Sequence, residues 1–378
     1  MAIVFTKTIA TDRLNLAFNN NILEFYSDST EQVLRAEILI GTNLITIYPQ
    51  PSGLFYYNLK NLITSLSNVD NYTDDLNPDL LVNYVYDWSE KVILNQLITV
   101  TIYLGNDNTE VNSFTPYWLN GYVQITDYKR TYPLNDLLIN KSFLLSPTNN
   151  TANTSNYVKY WYGLPFDITL WLNVEDIIIT NKNNGLFYNF ENDGEALVNR
   201  LVFSDGDTTT TLEDVLPLVT GFNNLDVNND FELLLEKITS FCQDDHYIKW
   251  INRYGGWSYW LFNKGNITRS TKSKGQVNND FNNLEDTISP LISLGKEAQD
   301  VLQLVQEGIT PLEFTLLEDL IDSAKVYLFT GVAFSQNTFN DWVEVDIKNG
   351  NFRVQNAREK SNSLTLSIEL PQRVTRIL

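Results

Sequence analysis

Short apolar runs that alternate with polar residues recur along this chain, and they constrain its fold more than any other feature. In residues 97–104, Ile98, Val100, Ile102 and Leu104 alternate with polar positions. This period of two places the apolar side chains on one face of a half-buried β-strand. Comparable runs, broken by turn residues, lie at residues 37–48, 54–57, 117–125, 143–145, 166–171 and 197–203. Short strands at such spacing predict a mainly β (α+β) protein, with β-sandwich or barrel-like domains and few helices.

The last ninety residues carry the clearest helix signal. Thr310 as N-cap, Pro311 in the first turn and Glu313 at the third position complete a capping box. The apolar face of this helix is predicted to consist of Leu312, Leu316, Leu317, Leu320 and Ile321.

Strand-like runs surround this helix. Residues 301–305 fit either a strand or a helix, and residues 326–329, 342–347, 352–354 and 364–370 read as strands. Asn349-Gly350 is the strongest hairpin-turn signal in the chain. The order predicts a C-terminal β-α-β-β-β-like unit.

Composition divides the chain into four predicted regions. Residues 1–172 form one or more N-terminal β-rich domains, and residues 173–262 form a β-rich middle region. Residues 263–289 are rich in Lys, Asn and Ser, which predicts a polar linker or exposed arm with local positive charge. Residues 290–378 form the C-terminal α+β unit.

The middle region ends in an aromatic segment, residues 247–262, which holds three of the eight Trp and a Gly-Gly pair. Aromatic side chains this dense serve packing or recognition, because they offer large contact area at low entropic cost. Gly-Gly permits a tight turn or a close backbone approach. We predict a structural or interface role for Trp250, Arg253, Gly255, Gly256, Trp257, Tyr259 and Trp260.

The net charge of −20 limits the classes of partner. It disfavours nucleic acid and anionic membranes, which need Lys and Arg to neutralise phosphate. It is compatible with a neutral or cationic partner. A single Cys excludes an internal disulfide, and neither a signal peptide nor a run of 18 apolar residues is found, so we expect folding in a reducing cytoplasm.

Residues with catalytic or metal-binding patterns are scarce. Cys242 and His246 form a conceivable nucleophile pair, but such partners usually come from distant segments. Residues 226–230 resemble the start of a calcium loop, yet Phe231 replaces the required Gly and Lys237 the required Glu. We therefore predict no catalytic residues, no cofactor and no metal, although a carboxylate pair for glycan hydrolysis stays open among 46 Asp and Glu.

Three segments resemble structural proteins of tailed bacteriophages that infect Bacteroidetes hosts. They are residues 248–260, residues 157–168 and residues 47–58, and the C-terminal strands 326–328 and 342–345 are similar in pattern to the β-rich ends of phage tail proteins. The resemblance implies a virion protein, assembled in the host cytoplasm, that acts as a tail-associated ring, hub, adaptor or baseplate subunit. Its implied partners are further copies of itself in a ring-like homo-oligomer and other virion proteins, with no nucleic acid and no membrane.

Two other hypotheses stay open on the residues alone. In a carbohydrate- or receptor-binding virion module, Trp257, Tyr259 and Trp260 would stack on a host surface glycan. In a glycan hydrolase, two carboxylates would face one cleft. Exposure of the aromatic side chains separates the first of these from a packing role, because a stacking platform must leave its rings open to solvent.

Overall fold

A computed structural model of the chain describes residues 2–67, 70–123, 137–147, 155–172, 176–191, 197–206, 209–242, 245–278, 291–330, 342–348 and 362–376. The chain forms two compact units: residues 1–238 with 251–258, and residues 239–250 with 259–378. Strands dominate both, which confirms the predicted mainly β class.

The first unit contains most of the strands. They are β1 (Ile3–Lys7), β2 (Leu14–Leu16), β3 (Ile22–Ser27), β4 (Val33–Ile40), β5 (Asn43–Ile47), β6 (Phe55–Asn58), β7 (Val85–Asp87), β8 (Ile93–Asn95), β9 (Ile98–Leu104), β10 (Thr109–Phe114), β11 (Tyr117–Leu119), β12 (Phe143–Leu144), β13 (Ser155–Trp161), β14 (Phe166–Trp171), β15 (Asp176–Asn181), β16 (Leu186–Glu191), β17 (Val198–Ser204), β18 (Gly221–Val227) and β19 (Phe231–Ile238). Its helical segments are α1 (Lys60–Ser67), the single turn α2 (Ser89–Val92) and a 3-10 turn at Leu212–Asp214.

These strands form five sheets, with the orders β1-β3-β6, β10-β9-β4-β5, β2-β11-β8, β12-β14-β17-β7 and β13-β19-β18-β15-β16. The first two sheets share one apolar core, as in a β-sandwich. Phe25 and Phe55 stack at 5.2 Å in this core, and the alternating residues of β9 face it, as the sequence predicts. The core forms because most of these strands present an apolar face to it.

The strands β14 and β17 are buried on both faces and pair antiparallel at the centre of their sheet. Apolar residues such as Ile168 and Leu201 occupy one face. The other face carries polar residues, including Asp167, Thr169 and Arg200, although it is equally removed from water. Buried polar groups need hydrogen-bond partners, so the segments that cover this face have to supply polar side chains.

The predicted division between residues 172 and 173 is wrong. Strand β14 precedes it and β17 follows it, yet the two are neighbours in one sheet. Strand β13 likewise runs parallel to β19 over seven register pairs, from Ser155–Glu232 to Trp161–Ile238. Non-local strand pairing therefore joins the two predicted regions into one unit.

The second unit is built on one seven-stranded sheet. Its strands are β20 (His246–Ile251), β21 (Trp257–Phe262), β22 (Lys264–Ser273), β23 (Gln276–Asn278), β24 (Leu291–Ser293), β25 (Lys296–Ile309), β26 (Val326–Phe329), β27 (Trp342–Ile347) and β28 (Asn362–Glu369), and its helix is α3 (Pro311–Asp322). The sheet order is β21-β20-β26-β27-β28-β25-β22, and β23 pairs with β24 separately. From β25 onward the elements follow the predicted β-α-β-β-β order; the Asn349-Gly350 turn and residues 352–354 lie outside the described residues.

The helix α3 begins where the sequence predicts. Thr310 and Glu313 form the reciprocal capping box, with Pro311 in the first turn. Leu312 is exposed, contrary to the prediction, because Phe314 and not Leu312 begins the buried face of the helix. That face consists of Phe314, Leu316, Leu317, Asp319 and Leu320.

Residues 264–273, predicted to lie in a linker or arm, instead form the strand β22. It pairs with β25 over ten consecutive positions and lies at the end of the sheet. Every one of its residues is exposed. The prediction failed because a strand with two solvated faces lacks the apolar alternation by which a strand is recognised.

Two arginines hold the end of this sheet together through Asp300 of β25. Arg269 Nε donates to Asp300 Oδ1 (2.6 Å), and Arg373 Nη1 donates to Asp300 Oδ2 (2.9 Å). The hydrogen bond from Arg269 is the main cause that lowers the pKa of Asp300 below its ordinary value, and Arg373 adds to it against the opposing effect of burial. The ionised form is therefore the one that stabilises the folded state.

We expect Asp300→Asn to lower the thermal midpoint of the second unit at pH 7. Because the folded-state pKa lies below the unfolded value of about 3.9, the contribution is complete above that value and is lost as pH falls through the folded-state pKa. The difference between wild type and variant should therefore shrink below about pH 4. Circular dichroism melts at both pH values measure it, with the exposed Asp322→Asn as control; a difference that stays constant with pH would contradict the assignment.

Candidate functional site

The aromatic segment forms a hairpin, consisting of β20, β21 and the turn between them. The turn, residues 251–258, belongs to the first unit, whereas the remainder of both strands belongs to the second. Both strands are buried almost throughout. All seven residues predicted to be structural or interface residues are buried in the folded chain: Trp250, Arg253, Gly255, Gly256, Trp257, Tyr259 and Trp260.

Asn252 organises the turn, and the sequence prediction overlooked it. Its Oδ1 accepts hydrogen bonds from the backbone N–H of Tyr254 (2.9 Å) and of Gly256 (3.2 Å). Its Nδ2 donates to the carbonyl of Leu145 (2.9 Å) and to Ser258 Oγ (3.2 Å). An Asn at the first position of a turn commonly binds its own backbone two residues on, and that signal was available in the sequence.

Three glycines allow the backbone of this turn to approach its neighbours closely. A Cβ on Gly256 would lie 2.5 Å from the carbonyl oxygen of Leu145, and one on Gly121 would lie 2.4 Å from that of Arg253. Gly255 has a φ of +80°, which favours glycine, and its Cβ would meet Val92 and Asn120. The turn is also fixed by a hydrogen bond from the N–H of Tyr122 to the carbonyl of Arg253 (2.8 Å).

The buried rings exclude one function of this segment. Trp257 and Tyr259 are each 4% exposed and Trp260 is 1% exposed. A stacking platform for sugars needs open ring faces, so these three side chains do not form one. The aromatic hairpin is an internal packing element of the chain.

In the second unit, the same hairpin contributes to an aromatic enclosure around Lys249. The Nζ of Lys249 lies 4.4 Å from the ring centroid of Trp342 and 5.2 Å from that of Tyr327. Tyr247 and Tyr259 stack at 5.9 Å beside it. Because Lys249 is itself only 6% exposed, this cation is used within the fold.

The most highly charged buried group of the first unit is centred on Arg200, on the polar face of β17. Its Nη1 donates to Asp74 Oδ1 (2.6 Å), while its Nη2 and Nε donate to Asp167 Oδ2 (2.6 Å) and Oδ1 (3.1 Å). All three side chains are at most 5% exposed. The guanidinium also lies 4.7 Å from the ring centroid of Trp88 and 5.9 Å from that of Trp257. We refer to Asp74, Asp167 and Arg200 as the buried ion triplet.

The buried ion triplet is arranged for stability rather than for catalysis. Each carboxylate is bound through both oxygens by the same guanidinium. Neither faces water, so neither can act on a substrate in the way that a hydrolase carboxylate pair must. No residue of the triplet was predicted, because its members come from three segments that are distant in sequence.

The other patterns considered in the sequence serve local structure. Asn228 and Asn229 have φ values of 53° and 57° and form the tight turn between β18 and β19. Asp226 pairs with Lys182 (3.2 Å), and Asp230 accepts the N–H of Ser142 (2.9 Å). The apparent calcium loop is therefore a hairpin.

Cys242 is exposed, and its N–H donates to Asp245 Oδ2 (2.9 Å). His246 lies within van der Waals range of the backbone of Gly265, where a Cβ would meet its ring at 2.2 Å. Within the described residues, no group of three His, Cys, Asp or Glu is placed to hold a metal ion. None of the helices in that part of the chain is long and apolar enough to cross a membrane.

Comparison with known proteins assigns the chain to no family. No family model matches the chain, and no curated protein matches it. Among solved structures, fibronectin(III)-like modules of Clostridium thermocellum CbhA align at 9% identity and a TM-score of 0.20, over 62% of this chain and 94% of theirs. A bacterial ice-binding adhesin in a study of host cell surface retention aligns at 9% identity and 0.17, over 78% and 87%, and a Ca²⁺-stabilized adhesin of an Antarctic bacterium at 9% and 0.17, over 98% of both chains. Scores this low carry no argument about the fold or the function.

We expect Arg200→Gln to destabilise the first unit by about 3–5 kcal/mol, because it leaves two carboxylates buried without a cation. Urea unfolding followed by Trp fluorescence measures the change. Lys182→Gln is the matched control, since this cation lies in the same unit but is 42% exposed and pairs with Glu232 (2.5 Å) and Asp226 at the surface; its loss should be far smaller, because exposed ion pairs contribute little to stability. Equal losses in the two variants would contradict the role given to the triplet.

Gly256→Ala should destabilise the protein by about 1–3 kcal/mol, because the new methyl group meets a backbone carbonyl that cannot rotate away. The φ of Gly256 is not in the left-handed region, so the loss would measure close contact alone. Gly105→Ala serves as the control, since its nearest neighbour would lie at 3.5 Å, and it should stay within about 0.5 kcal/mol of wild type. Unfolding curves for both variants test this; a Gly256→Ala protein as stable as wild type would refute the close approach.

Proposed function

We propose that this chain is a non-enzymatic structural subunit of a tailed-phage virion: a tail-associated ring, hub, adaptor or baseplate component. It acts by associating with copies of itself and by docking to other virion proteins. The observation that carries the proposal is β22, a ten-residue strand at the end of a sheet, all of whose residues are exposed. Among the described residues, no strand pairs with its outer row of backbone N–H and C=O groups, and such a row can bind another chain.

The internal use of the chemically notable side chains supports this proposal. The tryptophans of the aromatic hairpin are buried, and Arg200 and Lys249 are enclosed by carboxylates or rings. What the described surface offers instead is strand edges, such as β16 and β22. Strand edges are features through which proteins assemble.

The resemblance to phage structural proteins supports the same proposal. Residues 248–260 form the aromatic hairpin with its turn, and residues 157–168 run from β13 into β14. Both segments thus belong to the buried framework of the chain rather than to its surface. A shared framework would account for a resemblance that appears in patterns of aromatic and apolar residues.

The proposal predicts that the chain is present in finished particles. Particles of the phage that encodes it should be purified on a density gradient and analysed by quantitative mass spectrometry, with the chain measured against the major capsid protein of the same particles. We expect a fixed, low copy number per particle and immunogold labelling at the tail.

The control is the lysate of the same infected culture. A chain abundant in the lysate but absent from gradient-purified particles would refute a structural role. Labelling confined to the capsid shell would refute the tail assignment.

A further inference from the structure

Within the part of the chain that the structure describes, the strand β16 is an edge without the usual protection against strand addition. It ends the order β13-β19-β18-β15-β16 and pairs with β15 in unbroken register from Leu186 to Glu191. Natural edge strands are commonly blocked by Lys, Pro or a bulge, and β16 has none of these. Leu186 and Phe187 are 48% and 68% exposed. An incoming strand would find both open backbone groups and apolar contact.

The strand β22 is an edge of opposite character: its basic side chains oppose pairing with another basic edge, but not pairing with an acidic one. It carries Lys264, Arg269 and Lys272 and no acidic residue. Lys264 and Arg269 pair within the sheet with Glu307 and Asp300, both at 2.6 Å. Even so, residues 264–274 and 296–309 together hold five basic and three acidic residues, within a chain of net charge −20. This local excess of positive charge distinguishes β22 from the acidic chain that carries it.

Charge complementarity identifies a second copy of this chain as the occupant of β16. Asp176 of β15 and Glu191 of β16 are register partners, so the far end of the β16 edge is acidic. Two copies of this acidic chain repel one another. The repulsion is weakest when the basic edge of one copy approaches the acidic edge of the other. Pairing β22 with a second β22 would instead bring like charges together.

Each edge also offers an exposed apolar residue: Phe187, which is 68% exposed, on β16, and Ile267, which is 61% exposed, on β22. If these two residues face each other, Glu191 lies opposite Asn263 when the strands run antiparallel and opposite Thr271 when they run parallel. Successive side chains of a strand point to opposite faces, so Lys264 and Lys272 lie on the other face of the joined sheet. The charges therefore favour the approach of the two edges as a whole and do not form a matched pair.

We propose that copies of this chain associate head to tail, with β22 of one copy adding to β16 of the next to form a continuous sheet. This names the surface used in the self-association proposed above and rests on that proposal. The contact joins two different surfaces, so each copy retains one free edge of each kind. Association of this type continues until a ring closes or a filament grows.

The test uses two variants of the full chain, each of which blocks one edge. Phe187→Lys places a charge on the exposed side of β16, and the double variant Ile267→Glu, Lys272→Glu reverses the character of β22. Sedimentation velocity over a dilution series should show wild type forming oligomers and each variant associating at least about tenfold more weakly. An equimolar mixture of the two variants should form heterodimers and stop there, because one good edge of each kind remains.

Phe222→Lys is the matched control. Phe222 is 56% exposed, but it lies on β18, inside the same sheet rather than at its edge. This variant should associate like wild type, and circular dichroism melts should show all variants folded. Association of wild type should also weaken as added salt shortens the Debye length from about 10 Å at 0.1 M to about 3 Å at 1 M.

Three results would overturn the proposal: a wild-type chain that stays monomeric throughout the series, a Phe187→Lys chain that associates like wild type, or a mixture that remains monomeric. These outcomes are distinguishable from failure of the virion role. A chain found in particles but monomeric in solution would keep that role and reject the strand pairing. A chain that associates as described but is absent from particles would do the reverse.

Discussion

The interior of the first unit depends on a guanidinium that neutralises two buried carboxylates. Charges removed from water are tolerated only when they are paired and fully hydrogen-bonded, and Arg200 meets both conditions through four hydrogen bonds to Asp74 and Asp167. The triplet lies on the polar face of a sheet that is buried on both sides. Thr169, which pairs with Arg200 across the sheet, is also within reach of the N–H of Trp257 at 3.4 Å. The same face thus connects the ion triplet to the aromatic turn.

Local signals in the sequence predicted local structure well. The alternation over residues 98–104 and the capping box from Thr310 to Glu313 each lie within one element, and both are confirmed. The aromatic hairpin was recognised as a packing or recognition element because its composition is unusual. Its burial, which decides between those two roles, depends on segments around Asn120 and Leu145 that are more than a hundred residues away.

Features made by distant segments could not be predicted. The buried ion triplet joins residues whose separations are 126 and 33 positions, and nothing about Asp74 in the sequence points to Arg200. The division at residue 172 failed for the same reason, since β14 and β17 lie on opposite sides of it. The strand β22 was missed for a different reason. The apolar–polar alternation that predicts a strand arises because one face is buried, and both faces of β22 are exposed.

The edge strands of this chain differ in their protection against strand addition, and this difference distinguishes β16. The edge strand β10 carries Glu110, which is 6% exposed and directly opposite the buried Ile102 in register. A charge directed inward on an edge strand is one of the devices that oppose strand addition, since a flattened, paired edge would enclose it further. Keeping a carboxylate in that position costs stability. A chain that protects one edge at such a cost, yet leaves Leu186 and Phe187 exposed on another, has an edge suited to receiving a strand.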